Sequence, residues 1–430
     1  MKRIILPLIA LGIAGAAQAD TWSLDSCISY AMDHNLNIRS AEISRMEGEL
    51  SVTEAKDAFL PTLSAGAGQN WDFGRGLTSA NTYANRNTSM FSWNARMSLP
   101  IFQGLRNIRQ LRYSRTNLSM LEKQEEASRD EVRLSVITSY LQVLFNKELL
   151  EVSREQLRLS KVQLDRQKVL LEAGKVPEVD VIQAEAQVAQ NEVQVVNSEN
   201  DLQTSKIELA KLLEFDDLAD FDVAPIDDDS MGLLSAEEVY NNALANYPAL
   251  RAAREGVKLA DEGISVAKTG YIPTISFSAG LGSSYYTVSG EQGKSFGSQM
   301  RDNFSKNLGF SLSVPIFDGL STRDRVRQAK VRKLNAQLQV QQQESELHKS
   351  IRLAYRQALG AEKKYESGKV AVSAAKAALD AMTEKYTYGK ANATEWEKTQ
   401  SDYITALAQQ VQAKYELILR NKVLDFYNRK

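Results

Sequence analysis

Leu99-Pro100-Ile101-Phe102-Gln103-Gly104-Leu105 and Val314-Pro315-Ile316-Phe317-Asp318-Gly319-Leu320 are one pattern written twice, 215 residues apart. Phe59-Leu60-Pro61-Thr62-Leu63-Ser64 returns 212 residues later as Tyr271-Ile272-Pro273-Thr274-Ile275-Ser276. Glu172-Ala173-Gly174-Lys175 is answered by Tyr388-Gly389-Lys390, again at an offset of 215. Matches in the same order at nearly one offset predict two structural repeats, 24–213 and 234–427. Between them, 214–233 is acidic, with Asp216, Asp217, Asp220, Asp222, Asp227, Asp228 and Asp229. It reads as a solvated connector, although Phe215, Leu218, Phe221 and Val223 are placed to dock on a helix.

Between the proline motifs of each repeat the apolar period changes to two. Phe91, Trp93, Ala95, Met97 and Leu99 alternate with Ser92, Asn94, Arg96 and Ser98, and Leu308, Phe310, Leu312 and Val314 with Gly309, Ser311 and Ser313. Weaker alternation over 63–68 and 275–282 brings in Phe277 and Leu281. The expected strands are about 61–73, 89–101, 273–288 and 306–317, long enough for tilted membrane-spanning strands. Half-buried strands of a soluble sandwich alternate in the same way. The polar face of Ser, Gly, Asn and Thr favours a wet lumen behind an apolar outer band, which makes Phe91, Trp93, Met97, Phe277, Leu281, Phe310 and Leu312 lipid-facing candidates. The connecting loops, 74–88 and 289–306, read as polar and glycine-rich. Four strands do not close a barrel, and lipid admits no open edge, so copies of the chain must pool strands; three copies give twelve.

The remainder is helical on an unusual scale. After Gly104 no proline or glycine interrupts the chain until Gly174, and about 70 residues at 1.5 Å each make a rod of about 105 Å. Val136, Val143, Leu150, Leu157, Leu164 and Leu171 form a heptad seam, while Phe145, Val152 and Leu159 form a second on the opposite side. A helix with two seams packs between two neighbours. The second repeat carries Ile351, Ala358, Tyr365, Val372, Leu379 and Tyr386, and the shorter return helices carry Val181, Val188, Val195, Leu202 and Leu209, then Ile404, Val411 and Ile418. Gly174 and Gly389 supply the helix stops, and Pro177 suits the first turn of the next helix.

Composition removes other classes. With one cysteine and two histidines in 430 residues, Cys/His zinc sites, a thiol redox pair and a disulfide framework are unavailable to one chain. His34, following a helix, and His348, in a polar helical run, read as structural or solvated, and Cys27 as a small buried hydrophobe. No cofactor or metal site is expected, and no clustered nucleophile and base point to an enzyme. A formal charge of −2 without a basic block speaks against nucleic acid. Lys2, Arg3, the apolar stretch 4–15 and Ala17-Gln18-Ala19 make a secretory signal at 1–19, so the mature chain works outside the cytoplasm.

The duplicated halves, the strand motifs around Pro61/Pro100 and Pro273/Pro315 and the two glycine turns resemble TolC-type outer-membrane efflux channels. The resemblance implies a mainly α fold: duplicated helical hairpins forming a periplasmic α-barrel, plus four strands per chain in a twelve-stranded trimeric β-barrel. It implies a homotrimer in outer-membrane lipid, with most of its mass in the periplasm. The trimer would serve as passive exit duct of a tripartite efflux or secretion pump, joined through a periplasmic adaptor to an inner-membrane transporter. Carried over by the resemblance, the periplasmic aperture falls at Asp180, Glu395 and Tyr386, with an iris-like opening at the tips. Lys398 stands where an acidic residue is expected, and Ala391 where a basic one is. Adaptor docking falls at Gly174, Lys175, Val176, Gly389, Lys390 and Ala391.

Read from the residues alone, Asp180, Gln183 and Gln187 share one helical face and Val181 lies on another, so a polar face would line water. A carboxylate near a helix start also simply complements the helix dipole, and a tip glycine is also simply a turn residue. A structural or adhesive trimeric coiled-coil envelope protein is the competing reading; it explains the helices but leaves strands interrupting two helical hairpins unexplained.

Overall fold

The computed structural model describes residues 21–77, 81–216, 221–226 and 235–428. The export signal therefore lies outside the described residues, as do Asp217, Leu218, Asp220 and Asp227–Asp229 of the connector. In chain order the elements are β1 (Thr21–Trp22), α1 (Leu24–His34), α2 (Leu36–Asp57), β2 (Thr62–Asp72), β3 (Arg75–Leu77), β4 (Tyr83–Asn85), β5 (Thr88–Gln103), α3 (Arg106–Glu172) and α4 (Glu178–Leu213). There follow β6 (Asp222–Val223), α5 (Ala236–Asn246), α6 (Pro248–Lys268), a 3-10 turn at Thr269–Tyr271, β7 (Thr274–Val288), α7 (Phe296–Asp302), β8 (Ser305–Ser313), α8 (Ser321–Thr387) and α9 (Ala393–Tyr427). No helix among the described residues is long and apolar enough to cross a membrane.

The chain divides into two compact units, and each draws on both halves of the sequence. The first comprises the residues up to Ala41, Glu125–Tyr247 and Glu344 onward. Here the two seams of α3 find two partners. Val136, Val143 and Leu150 join Leu202 and Leu209 of α4 in one core, while Val152, with Phe145 and Leu159 beside it, packs against Ile404 and Val411 of α9. Burying each such side chain contributes roughly 1.5–3 kcal/mol. Along the α3–α4 flank, Arg154–Glu199, Lys161–Glu192 and Lys168–Glu185 pair at 3.0, 2.9 and 3.2 Å, one pair per heptad. Half-exposed pairs of this kind stabilise little; repeated at the seam's own period they are in register with it.

The connector is docked rather than solvated where it is described. Phe221 and Val223 are buried in the α3–α4 core with Phe215 packed against it. β6 pairs in parallel with β1, Trp22 opposite Val223. The hydroxyl of Tyr140 reaches β1 and the residue that follows β6, 2.9 Å from the Trp22 carbonyl oxygen and 2.6 Å from that of Ala224. Asp222 receives Lys147 at 2.6 Å and Lys206 at 3.2 Å. Apolar residues set among the aspartates turn an acidic stretch into a strap, because two lysines neutralise the carboxylate that comes inside with it. Cys27 is fully buried in the same core, and burial pushes its thiol up to about 12. His34 closes α1 instead of following it, its Nδ1 3.0 Å from the Tyr30 carbonyl oxygen and its ring stacked on Tyr30.

The second unit comprises Glu42–Gln124 and Pro248–Gln343. Its sheet has the order β2-β5-β7-β8, every neighbour antiparallel. The register sets Leu63, Met97, Ala279 and Leu308 across one face, with Leu99, Phe277 and Phe310 beside them; Ser64, Arg96, Gly280 and Asn307 cross the other. Leu63, Leu308, Phe310 and Leu312 are 64 to 80% exposed, so the apolar face is uncovered at both edge strands among the described residues. The loops hold more structure than their composition implied. β3 and β4 form a hairpin in one, and α7 in the other lies on β7, with Gln299 bonded to both the amide and the carbonyl of Tyr286.

Candidate functional site

Both hairpin turns close by one mechanism, which follows from the glycine. At the first, Gly174 takes φ +67°, its amide donates to the Leu171 carbonyl at 2.8 Å, and that of Lys175 donates to Leu170 at 2.9 Å. At the second, Gly389 takes φ +70°, its amide donates to Tyr386 at 3.2 Å, and that of Lys390 donates to Lys385 at 2.8 Å. These are paired Schellman closures, in which a left-handed residue lets the chain satisfy the last helical carbonyls. A Cβ at either glycine would meet nothing within 4 Å, so backbone conformation alone selects the residue. Lys175, Lys390 and Tyr388 are exposed, Val176 is half-buried, and Ala391 packs against the cluster of Leu379, Tyr386 and Trp396.

The return helices begin differently. Pro177 is the N-cap of α4, with extended backbone at ψ 157°, one position outside the first turn expected for it. α9 opens with a capping box: Asn392 Oδ1 accepts from the Glu395 amide at 2.8 Å, and Glu395 Oε2 accepts from the Asn392 amide at 3.3 Å. The Glu395 carboxylate thus holds its own helix start. Asp180 lies half-buried in the first turn of α4 with Gln183 and Gln187 exposed on its face, Gln187 donating to Asn191. The carboxylate that Asp180 influences is Glu397, which sequence spacing did not single out. Partial desolvation and then the Asp180 charge raise Glu397 above the usual glutamate range. Lys398 is exposed and makes no ion pair among the described residues.

Tyr386 is held from several sides. Its phenol oxygen accepts from Gln163 Nε2 and Gln167 Nε2, both at 2.8 Å and both buried. Arg166 lies 4.3 Å from its ring centroid and donates to its carbonyl oxygen at 3.1 Å. Trp396 of α9 stacks on the ring at 6.1 Å and donates through Nε1 to Thr383 Oγ1 at 2.9 Å. The tyrosine therefore ties α3, α8 and α9 together immediately before the second turn. Gln163 and Gln167, four apart on α3, belong to neither heptad seam, and the sequence reading did not single them out.

Of the lipid-facing candidates, Phe91, Trp93, Met97, Phe277, Leu281, Phe310 and Leu312 all fall on the same sheet face. Phe91 and Trp93 meet Phe296 and Phe304 from the α7 segment at 6.0 and 6.3 Å, which leaves them half-buried. No group of three His, Cys, Asp or Glu side chains suited to a metal occurs among the described residues.

Residues 27–213 and 239–425 match the outer membrane efflux protein family. The outer membrane efflux protein BepC of Brucella suis is 24% identical over 190 residues, 44% of this chain and 40% of BepC, so that match spans less than half of the relative. The outer membrane protein TolC of Escherichia coli is 24% identical over 423 residues, 97% of this chain and 83% of TolC. The outer membrane channel CmeC of Campylobacter jejuni superposes with a TM-score of 0.80 at 16% identity, covering 99% of this chain and 94% of CmeC. These neighbours are outer-membrane channels rather than enzymes. With its family match extending over both hairpins and all four long strands, the chain belongs to the outer membrane efflux protein family.

Proposed function

We propose that three copies of this chain form the outer-membrane exit duct of a tripartite efflux or secretion pump. The sheet carries the reading. Its outer strands, β2 of 11 residues and β8 of nine, have no further partner among the described residues, while one sheet face is apolar and largely exposed. In lipid such edges must be paired, and a second and third copy offer β8 to β2 around a closed ring of twelve strands. The two sequence repeats, 24–213 and 234–427 about the connector 214–233, then supply equivalent helical hairpins to one periplasmic wall.

The exposed turns at Gly174–Val176 and Gly389–Ala391 are the docking points for a periplasmic adaptor, and through it for an inner-membrane transporter. The aperture is narrowed by Asp180 and Tyr386 with the helix start at Glu395, and opening is a separation of α4 and α9 around the Tyr386 anchor. Solution mass and planar-bilayer conductance of the purified protein test the reading. A trimeric mass with discrete conductance steps is expected; a trimer that does not conduct overturns it in favour of a structural envelope protein.

A further inference from the structure

An open-sided cavity of about 500 Å³ in the second unit is lined by three solvent-exposed arginines that the duct reading leaves without a task. Arg325 and Arg332 lie seven residues apart on one face of α8, and Arg106 is the first residue of α3. Small residues of α6 and α8, Gly263, Ala267 and Ala329, leave the space open between them. None of the three guanidinium groups makes an ion pair among the described residues; Arg325 donates to Thr322 Oγ1 at 3.0 Å. No acidic side chain lines the cavity.

Two observations say what belongs there. The first is charge set against a helix dipole. An N-terminus favours an anion, and α8 has one: Asp318 Oδ2 accepts from the Thr322 amide at 2.7 Å. The residue 215 positions earlier is Gln103, which is neutral and lines the cavity, and the first turn of α3 contains Arg106 and no acid. The second is the face on which the cavity opens. Gln103, Thr274 and Ser313 are cross-strand partners, on the side of the sheet that carries serine and glycine rather than the apolar side. On the duct reading, on which this step rests, that side faces the lumen.

We propose that this cavity is a binding site for soluble oxyanions bearing two or more negative groups, such as bisphosphates, disulfonates or dicarboxylates, at the junction of strand and helix inside the duct. Three permanently charged, planar donor forks suit such groups, and the neutral amide and hydroxyls of Gln103, Thr274 and Ser313 complete the hydrogen bonding without repelling them.

Isothermal titration of the full-length protein in detergent with inorganic pyrophosphate at low salt tests the site. Saturable binding that weakens with added salt is expected. Arg325→Gln and Arg332→Gln should each weaken it about tenfold, the ratio set by one charge-assisted contact, and Lys349→Gln should not. Undiminished binding in the triple variant with Arg106→Gln, or no binding to the wild-type protein, overturns the proposal. Native mass spectrometry separates a lipid headgroup as occupant: phospholipid retained by the wild type and lost from Arg325→Gln, without pyrophosphate binding, also overturns it. The titration reads the site whether or not the protein conducts, so protein that binds pyrophosphate but fails in the bilayer counts against the duct alone.

Discussion

Gln163 on α3 donates through Nε2 to the phenol oxygen of Tyr386 on α8 at 2.8 Å, across 223 residues of sequence. Gln167 repeats the contact one turn along. Tyr386→Phe keeps the ring, its stack on Trp396 and the Arg166 contact but leaves two buried amides without their acceptor. The expected cost is about 1–3 kcal/mol, read as a lower thermal midpoint. Loss of the phenol oxygen should also loosen the turn, giving longer open dwell times in single-channel records.

Glycine positions should separate by cause. Gly174→Ala and Gly389→Ala meet open space, so each should cost only the left-handed penalty of about 1 kcal/mol. Gly104, at φ +60°, adds a steric term, because a Cβ there lies 3.0 Å from both Cβ and the carbonyl oxygen of Ile272. Gly104→Ala should therefore lower the midpoint of chemical denaturation clearly more than either turn variant. Equal shifts for all three would contradict the packing described.

Glu397 predicts a pH dependence. Its carboxyl is raised by desolvation and by Asp180, so the packed state holds the proton more tightly than the unfolded chain. That contribution is complete below the ordinary glutamate value of about 4.3 and is lost as pH rises through the raised one. Glu397→Gln should match the wild type in acid and exceed its thermal stability at neutral pH. Asp180→Asn should give part of the same gain.

Cys27 is fully buried with its thiol held up near 12, so it should resist maleimide labelling in the native protein and react quickly once unfolded. Rapid labelling at neutral pH without denaturant would show that α1 detaches from the α3–α4 core.

Asp222 should matter to the strap. Burial alone would raise its carboxyl, but hydrogen bonds from Lys147 and Lys206 hold it below the usual range. Its contribution is present above the ordinary aspartate range and fades as pH falls through the lowered value. Asp222→Asn should speed proteolysis within the mid-chain connector while leaving the turns at Gly174 and Gly389 resistant.

Much of the fold was legible because it is periodic. The seam through Val136, Val143 and Leu150 and its opposite through Phe145, Val152 and Leu159 gave α3 two partners, and both are present. The strand period placed Phe310 and Leu312 on one face with Phe277 and Met97. Illegible features were those without a period. α7 is seven residues in a loop of mixed composition, and β6 is two residues whose partner lies 201 positions away. At the turns, the family resemblance pointed to Glu395, whose carboxylate is bonded to its own N-cap, and passed over Glu397, because helix position does not report which carboxylate a neighbouring helix brings close.

Sequence by itself determined where the long helices turn back, which faces are apolar and that the pattern occurs twice, since propensity, period and left-handed glycines act over a few residues. Tertiary structure alone decided which side chains meet: Gln163 and Gln167 on Tyr386, Asp222 between two lysines, three arginines around one cavity. Those pairings depend on the reach and packing of side chains from helices hundreds of residues apart, and no local period encodes that distance.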